Sequence, residues 1–456
     1  MISAGRALLL LDLIAAILLW PALALLILPS GYRPGPPGLA LYAVTWLLFL
    51  AAFGLYRREA LVETRKSLGR AALAALLGSL TAAFAAAAAL PPFDPPVYGT
   101  GAALATALGG FLVFGTLTRV ATFALRHRGA LRRRVLVIGA GQRAWDLALL
   151  LRREGRSIAY DLTFVDVGDP DPRLVEAEGD RVVQPNAQSE FLVIAQRCAA
   201  DEIVIAPDDR RGLPMHQLLA CKTGGYPVSE YLRFLEREIG RIDIKRLELG
   251  WLLVTDGFTF SPIDRALKRM LDVAVSGTLL LLTAPFLLLA ALAVKLDDPG
   301  PAIYRQARVT QGGRIFHILK LRTMRVDAEK MGAVWAAEKD PRITRIGRFL
   351  RRTRLDELPQ LINILKGDMS FVGPRPERPE FIRDLAVQLP LFEERHLVKA
   401  GLTGWAQINY PYGASLNDAR SKLSYDLYYV KNFGLALDLL IILQTLRVVL
   451  WPGGVR

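Results

Sequence analysis

Two adjacent carboxylates, Asp356 and Glu357, stand in the run Leu355-Asp356-Glu357-Leu358-Pro359-Gln360. Arg345, Arg348, Arg351, Arg352 and Arg354 crowd the chain before them, and Gly373-Pro374-Arg375-Pro376-Glu377 follows. The prolines flanking Arg375 restrict its backbone, which suits bidentate recognition of a phosphate by its guanidinium. An Asp-Glu pair alone has a plainer explanation. Asp356 fits a helix N-cap, with Pro359 in the first turn and Gly367 as the stop. The surrounding arginines turn the reading toward phosphate chemistry. A second pattern, Gly139-Ala140-Gly141-Gln142-Arg143-Ala144, is GxGxxA after an apolar run and before a helical period. Gly139 and Gly141 would permit a tight turn and close approach of a pyrophosphate to a helix N-terminus. The expected ribose-binding acid is less clear, since Asp166 comes somewhat late. The alternative for this segment is a Rossmann-like domain used for structure, dimerisation or regulation.

The elements that must position these groups lie partly in a membrane. Of 456 residues, 52% are hydrophobic and only 22% charged, with a mean hydropathy of +0.29. A disordered or fibrous chain is excluded. Lys and Arg number 57 against 43 Asp and Glu, a net charge of +14, which favours anionic partners. The arginines flank apolar segments rather than aromatic platforms, so no nucleic-acid partner is expected. Two cysteines exclude a disulfide framework, and four scattered histidines give no zinc spacing.

Four apolar stretches near 7–29, 37–56, 71–93 and 101–124 are each close to the ~20 residues a spanning helix needs. The loops alternate in charge. Arg57, Arg58, Arg65, Lys66 and Arg70 follow the second stretch, and Arg126, Arg128, Arg132, Arg133 and Arg134 follow the fourth. The positive-inside rule then puts both ends of this four-helix transmembrane bundle, and the rest of the chain, in the cytoplasm. A fifth apolar stretch, Val273–Val294, has basic residues at both ends and Pro285 within it. Because Pro285 removes a helix hydrogen bond, we expect a bent, re-entrant membrane helix that returns to the same face. Alternating strands and helices over 132–237 predict a parallel α/β, Rossmann-like domain. The expected organisation is a membrane α plus α/β chain. A bundle spans 1–128, a Rossmann-like α/β domain 129–245, a linker 246–266, and a re-entrant helix with a mainly α catalytic domain 267–456. Within the last, Ile343, Ile346, Phe349 and Leu350 among arginines read as an interfacial helix, Gln311–Arg314 as the turn of a hairpin, and 435–451 as an amphipathic or interfacial helix with Trp451 and Arg447 at headgroup depth.

The segments KRMLD (268–272), PGPAIYRQARV (299–309), LKLRTM (319–324), RTRLDELPQLINILKGDMSFVGPRPE (352–377), GLTGWAQI (401–408) and SYDLYYVKN (424–432) resemble the bacterial sugar transferase family. These are monotopic polyprenyl-phosphate hexose-1-phosphate transferases, and ERPEF (377–381) with the closing run is similar to the exopolysaccharide-associated subgroup. One departure is Ala284-Pro285, where many members carry Ser-Pro. The resemblance implies transfer of a hexose-1-phosphate from a UDP-sugar to undecaprenyl phosphate with release of UMP. The implied route is ping-pong through an aspartyl phosphosugar on Asp356. It implies Glu357 as helper or proton acceptor, Arg375 and Arg351 on phosphate, Lys320 and Arg322 as further phosphate-binding candidates, and a site carboxylate at Asp426. It also implies Mg²⁺ held near Asp356, a homodimer, and the bacterial inner membrane with the catalytic domain on the cytoplasmic face. Two other functions compete with this one. The GxGxxA loop would suit a membrane-anchored, dinucleotide-dependent sugar-nucleotide epimerase or dehydratase, although no Tyr-x-x-x-Lys pair follows it. The other is a non-enzymatic scaffold for polysaccharide assembly.

Overall fold

A computed structural model describes residues 4–30, 33–56, 64–89, 97–127, 132–153, 160–168, 170–185, 190–244, 257–258, 261–326, 340–410, 413 and 415–450. Arg57, Arg58, Arg128 and most of the predicted linker lie outside these residues. The chain divides into two units, Met1–Ile239 and Gly240–Arg456.

The first unit opens with α1 (Ala4–Ile14) and α2 (Trp20–Ile27), joined by a π-helical turn over Ala15–Leu19. Pro21 supplies a reason for the widened turn. It has no N–H, and its ring crowds the carbonyl of Ile17 four residues back. Then come α3 (Pro36–Ala52), α4 (Thr64–Ala89) and α5 (Val97–His127). Ala7–Ile27, Ser67–Ala86 and Gly101–Leu125 are long and apolar enough to cross a membrane. The predicted second span is shorter than expected. At 17 residues, α3 covers about 25 Å against a hydrocarbon core of about 30 Å. Inside the bundle, the buried Arg119 holds Asp12 through both oxygens at 2.7 and 3.0 Å. Thr118 adds a third bond to Asp12 at 2.8 Å, so α1 and α5 are registered by a satisfied ion pair rather than by apolar packing alone.

Next is the parallel domain: β1 (Arg133–Ile138), α6 (Gln142–Arg153), β2 (Tyr160–Val165), α7 (Pro172–Glu178), β3 (Val182–Val183), α8 (Phe191–Arg197), β4 (Glu202–Ile205), α9 (Met215–Thr223), β5 (Val228–Glu230) and α10 (Tyr231–Ile239). The sheet order is β3-β2-β1-β4-β5, with every pair parallel. Val135 and Val137 face one apolar core, and Leu136 and Ile138 the other. A sheet buried on both faces needs the near-continuous apolar strands that the sequence shows.

The second unit is built around α11 (Pro262–Asp297), capped at its start by the Ser261 side chain. It runs as one helix through Pro285, where a bend was expected. Pro285 leaves the Leu281 carbonyl without its helical donor. The Thr283 hydroxyl, two residues before the proline, bonds the Leu279 carbonyl at 2.7 Å. This threonine places a hydroxyl immediately before the Ala284-Pro285 step. Leu281, Leu282, Phe286, Leu288 and Leu289 are exposed, each more than 60% accessible.

Both ends of α11 are tied to the same unit. Near its start, Lys268 reaches the Val372 carbonyl at 3.0 Å and Asp438 at 2.7 Å. Asp272 accepts from Ser370 Oγ and Phe371 N, both at 3.0 Å. Near its end, Val294 packs with Leu321 and Leu350, and Asp297 accepts from the Ile346 amide at 3.2 Å.

The elements that follow are β6 (Ile303–Val309), β7 (Ile315–Leu321), α12 (Arg345–Thr353), a 3₁₀ turn (Leu355–Glu357), α13 (Gln360–Lys366), β8 (Ser370–Val372), α14 (Pro379–Gln388), β9 (Gly401–Thr403), α15 (Trp405–Asn409), α16 (Leu416–Lys431) and α17 (Leu435–Leu450). β6 and β7 form the expected antiparallel hairpin, with Tyr304 opposite Lys320. β8 and β9 pair in parallel. On α17, Ile441 is buried in a core with Phe316, Leu361 and Val372, against Leu279 and Leu280 of α11. Trp451, expected at headgroup depth, lies outside the described residues.

Candidate active site

The site forms where β7, the 3₁₀ turn and the loop after β8 converge. Asn363 of α13 staples two of these pieces together. Its Oδ1 accepts from the Leu319 amide at 3.0 Å, and its Nδ2 donates to the His317 carbonyl at 2.9 Å. Thus α13, immediately after the acidic turn, is pinned to the strand that carries Lys320. Gly347 brings α12 equally close. A Cβ there would stand 2.0 Å from the Thr323 carbonyl oxygen, so only glycine fits. The helix ends at Arg354, which adopts a left-handed conformation with φ 60° and swings the chain into the acidic turn.

The N-cap expectation for Asp356 is corrected here. Asp356 lies inside the 3₁₀ turn, α13 begins at Gln360 after Pro359, and no cap bond involves the Asp356 side chain. Pro359 follows this tight turn and stands at the cap position from which α13 starts. Gly367 does end α13, in a left-handed conformation.

Asp356 is 8% exposed, and its buried Oδ1 has no hydrogen-bond partner among the described residues. Burial pushes its pKa up to about 6, and the neighbouring Glu357 charge adds to this, against the pull of Lys320, Arg351 and Arg354. Glu357 has the opposite surroundings. Its Oε1 accepts from Lys320 at 3.1 Å and from Arg375 at 2.8 Å. Burial alone would raise Glu357, but those two cations outweigh it and hold the carboxylate well below its usual range. Burial lowers Lys320, and Glu357 opposes that shift.

Arg351 donates Nε to Thr323 Oγ1 at 2.9 Å, which leaves its terminal nitrogens without a hydrogen bond among the described residues. Asp426, 2% exposed on α16, does not reach the acidic turn itself. It pairs with Arg395 at 2.8 Å, and the same Arg395 nitrogen donates to the Arg375 carbonyl at 2.9 Å. Burial pushes Asp426 up to about 6, against Arg395. Arg322 is not brought into this group. It bonds the Asp298 carbonyl and pairs with its carboxylate at 3.5 Å. Arg308, Arg395, Thr323 and Asn363 escaped sequence reasoning. The only signal was their position inside the quoted segments or near them.

The residues suit a divalent cation to a limited degree. Among the described residues, no three His, Cys, Asp or Glu side chains converge. One free, buried carboxylate oxygen on Asp356 nevertheless matches Mg²⁺, which takes one or two carboxylates and completes its shell with substrate phosphates and water.

The GxGxxA loop belongs to the first unit. Gly139 has φ +122°, and a Cβ there would stand 2.6 Å from the Ala206 carbonyl oxygen, so the glycine serves strand packing. The amides of Gln142 and Arg143, at the start of α6, both donate to the Asp208 carboxylate. Asp166 folds back onto the Gly168 amide at 3.0 Å.

Residues 263–452 match the bacterial sugar transferase family. A UDP-glucose:undecaprenyl-phosphate glucose-1-phosphate transferase of Caulobacter vibrioides is 43% identical over 52% of this chain and 95% of its own length. An exopolysaccharide production protein of Rhizobium leguminosarum bv. phaseoli is 41% identical over 40% of this chain and 94% of its own. A UDP-N-acetylgalactosamine-undecaprenyl-phosphate N-acetylgalactosaminephosphotransferase of Aeromonas hydrophila is 40% identical over 55% of this chain, which spans 58% of that relative.

Proposed function

This chain belongs to the bacterial sugar transferase family, and from that premise we propose that it transfers a hexose-1-phosphate from a UDP-sugar to undecaprenyl phosphate, releasing UMP. The relatives' names support the substrate classes. The observation that carries the chemistry is the buried, unpartnered Oδ1 of Asp356 next to a Glu357 already held by two cations.

The obstacle to this reaction is the approach of one anion to another, so positioning and positive charge do most of the catalysis. Asp356 Oδ1 attacks the sugar-side phosphorus of the UDP-sugar. A phosphorus–oxygen bond to the carboxylate forms, the bond to the bridging oxygen breaks, and UMP leaves with that electron pair. Lys320 and Arg375 hold the diphosphate, exchanging Glu357 for phosphate oxygens as it enters. The free end of Arg351 is a further phosphate donor. An ionised Glu357 pinned by two cations is a poor proton acceptor. We assign it the task of keeping those cations in place before the substrate arrives. An oxygen of undecaprenyl phosphate then attacks the same phosphorus and restores the Asp356 carboxylate. Asp356, together with the substrate phosphates, would hold Mg²⁺, which when bound supplies positive charge to the transferring phosphoryl group.

Two membrane relationships complete the proposal. Because both ends of α11 bond the one unit, we read the helix as entering and leaving on the same face, the cytoplasmic side of the inner membrane. The exposed Phe349, among the arginines of α12, supports an interfacial seat for the reaction beside a lipid substrate. The Rhizobium relative's name supports a place at the start of exopolysaccharide assembly, and the family resemblance supports a homodimer. Nanodisc-held protein mixed with Mg²⁺, undecaprenyl phosphate and UDP-glucose or UDP-N-acetylgalactosamine should release UMP, and Asp356→Asn should not. Full activity in Asp356→Asn would remove Asp356 as nucleophile.

A further inference from the structure

The segment Pro374–Arg378 contains two prolines and so offers few amides to hold it in place. It is held by its carbonyls instead. The Pro374 carbonyl accepts from Gly401 N at 2.8 Å, that of Arg375 from Arg395 at 2.9 Å, that of Pro376 from Arg308 at 3.1 Å, and that of Glu377 from Val309 N at 3.1 Å. Four consecutive carbonyls thus have four donors, and the middle two are side-chain guanidiniums from elements far apart in sequence.

We propose that Arg308 and Arg395 are positioning residues, a pair of guanidinium clamps that fix the backbone at Arg375 and so aim its side chain at the phosphate site. The proposal rests on the reading of that site as a phosphoglycosyl transfer centre. Each clamp is braced from behind. Arg395, 5% exposed, is held by Asp426 at 2.8 Å and lies over the Phe392 ring. Arg308 bonds Gln306 Oε1 at 2.6 Å, and Gln306 in turn bonds Tyr304 at 2.8 Å. A neutral donor would hold a carbonyl at lower desolvation cost than a buried cation. Two cations brought to this loop, next to a third on Arg375, concentrate positive charge where phosphates must meet. The arrangement also accounts for a carboxylate at Asp426 that touches no acidic-turn residue. It anchors the clamp rather than the substrate.

Lysine at either position keeps the charge but loses the planar guanidinium: at 308 the fork whose two nitrogens reach carbonyl and brace, at 395 the flat group that lies over Phe392 while one nitrogen bonds both. In nanodiscs with UDP-glucose or UDP-N-acetylgalactosamine, Arg395→Lys and Arg308→Lys should each lower kcat by roughly 10- to 100-fold while KM changes little. Hydrogen exchange of a peptide covering 373–382 should speed up while exchange in the β6–β7 hairpin stays unchanged. In an Arg375→Lys background the further loss from Arg395→Lys should largely vanish, because both changes then act through one side chain. Additive losses, or unchanged loop exchange with unchanged kcat, would overturn the clamp. Asp426→Asn, close in size to the native residue, gives the same readout if Arg395→Lys does not fold. A wild-type protein that releases no UMP would defeat the catalytic reading, whereas the exchange measurement would still decide whether the two arginines hold the loop.

Discussion

Asp356 and Glu357 are adjacent in the chain and opposite in surroundings: Glu357 Oε1 is shared by Lys320 and Arg375, whereas Asp356 Oδ1 is buried with no hydrogen-bond partner among the described residues. One carboxylate is therefore kept ionised and occupied, and the other unoccupied and reluctant to ionise. Two acids pushed apart in this way divide their roles by environment rather than by residue type.

A nucleophilic carboxylate must be ionised. With Asp356 raised to about 6, kcat/KM should rise with pH through an acid limb near 6 and level off above 7. Because the Glu357 charge is one cause of that elevation, Glu357→Gln should move the limb to lower pH, although it also lowers the maximum rate by releasing Lys320 and Arg375. Initial rates of UMP formation from pH 5 to 9 would measure both effects. A limb unmoved by Glu357→Gln would contradict the assigned coupling.

The same elevation is a stability statement. A raised carboxyl pKa means that the folded protein binds its proton more tightly than the unfolded chain. Stability from this group is thus present below pH 4 and lost as pH climbs toward 6. In EDTA at pH 7.5, Asp356→Asn should be more stable than wild type by about 2–3 kcal/mol, and the difference should fade toward pH 4. Thermal unfolding in detergent across that range tests it, and a variant less stable at every pH would count against a strained carboxylate.

Gly347→Ala should force α12 away from Thr323, since the added Cβ would stand 2.0 Å from a backbone oxygen. Overpacking of this kind costs roughly 1–3 kcal/mol. The movement displaces Arg351 and the turn carrying Asp356, so UMP release should fall by at least ~10-fold. Normal turnover in Gly347→Ala would show that the approach of α12 does not set the site.

The GxGxxA loop yields a prediction in the other unit. Asp208 already satisfies the two amides at the start of α6, as an N-cap does. Asp208→Ala should cost roughly 0.5–2 kcal/mol, read by unfolding of the full chain. Equilibrium dialysis of wild type against NAD⁺ and NADP⁺ should find no saturable binding. Saturable binding abolished by Gly141→Val would restore the dinucleotide reading.

Sidedness of α11 is tested by cysteine labelling in a Cys198→Ser, Cys221→Ser background. Met215→Cys and Arg314→Cys, at exposed positions before and after the helix, should react from the same side of sealed vesicles. Opposite accessibility would make α11 a spanning helix.

Much of this architecture was legible in the residues. The strands of the parallel domain announced themselves as apolar runs because both faces of that sheet are buried. The hairpin announced itself through Gln311–Arg314. Local cues failed where long-range contact decides. Nothing near Asp356 says that a 3₁₀ turn replaces the helix start. That outcome follows from the close seat of Gly347 on Thr323 and the left-handed turn at Arg354. Arg395 is invisible as a site residue because its role is to reach a carbonyl 20 residues away in the chain. Arg322 looked like a phosphate ligand by motif, yet the ion pair with Asp298 claims it. Gly139 does sit at the strand-to-helix turn with a positive φ, but the close neighbour there is the protein's own Ala206, just after β4.

The central claim is that Asp356 becomes covalently bonded to phosphorus. The most direct measurement mixes protein, Mg²⁺ and UDP-glucose or UDP-N-acetylgalactosamine without undecaprenyl phosphate, followed by rapid quench and mass analysis. The account predicts a burst of UMP approaching one equivalent per active site, with a hexose phosphate on the peptide containing Asp356 that disappears when undecaprenyl phosphate is added. UMP formation that strictly requires the lipid phosphate, with no adduct on that peptide at any time point, would contradict it.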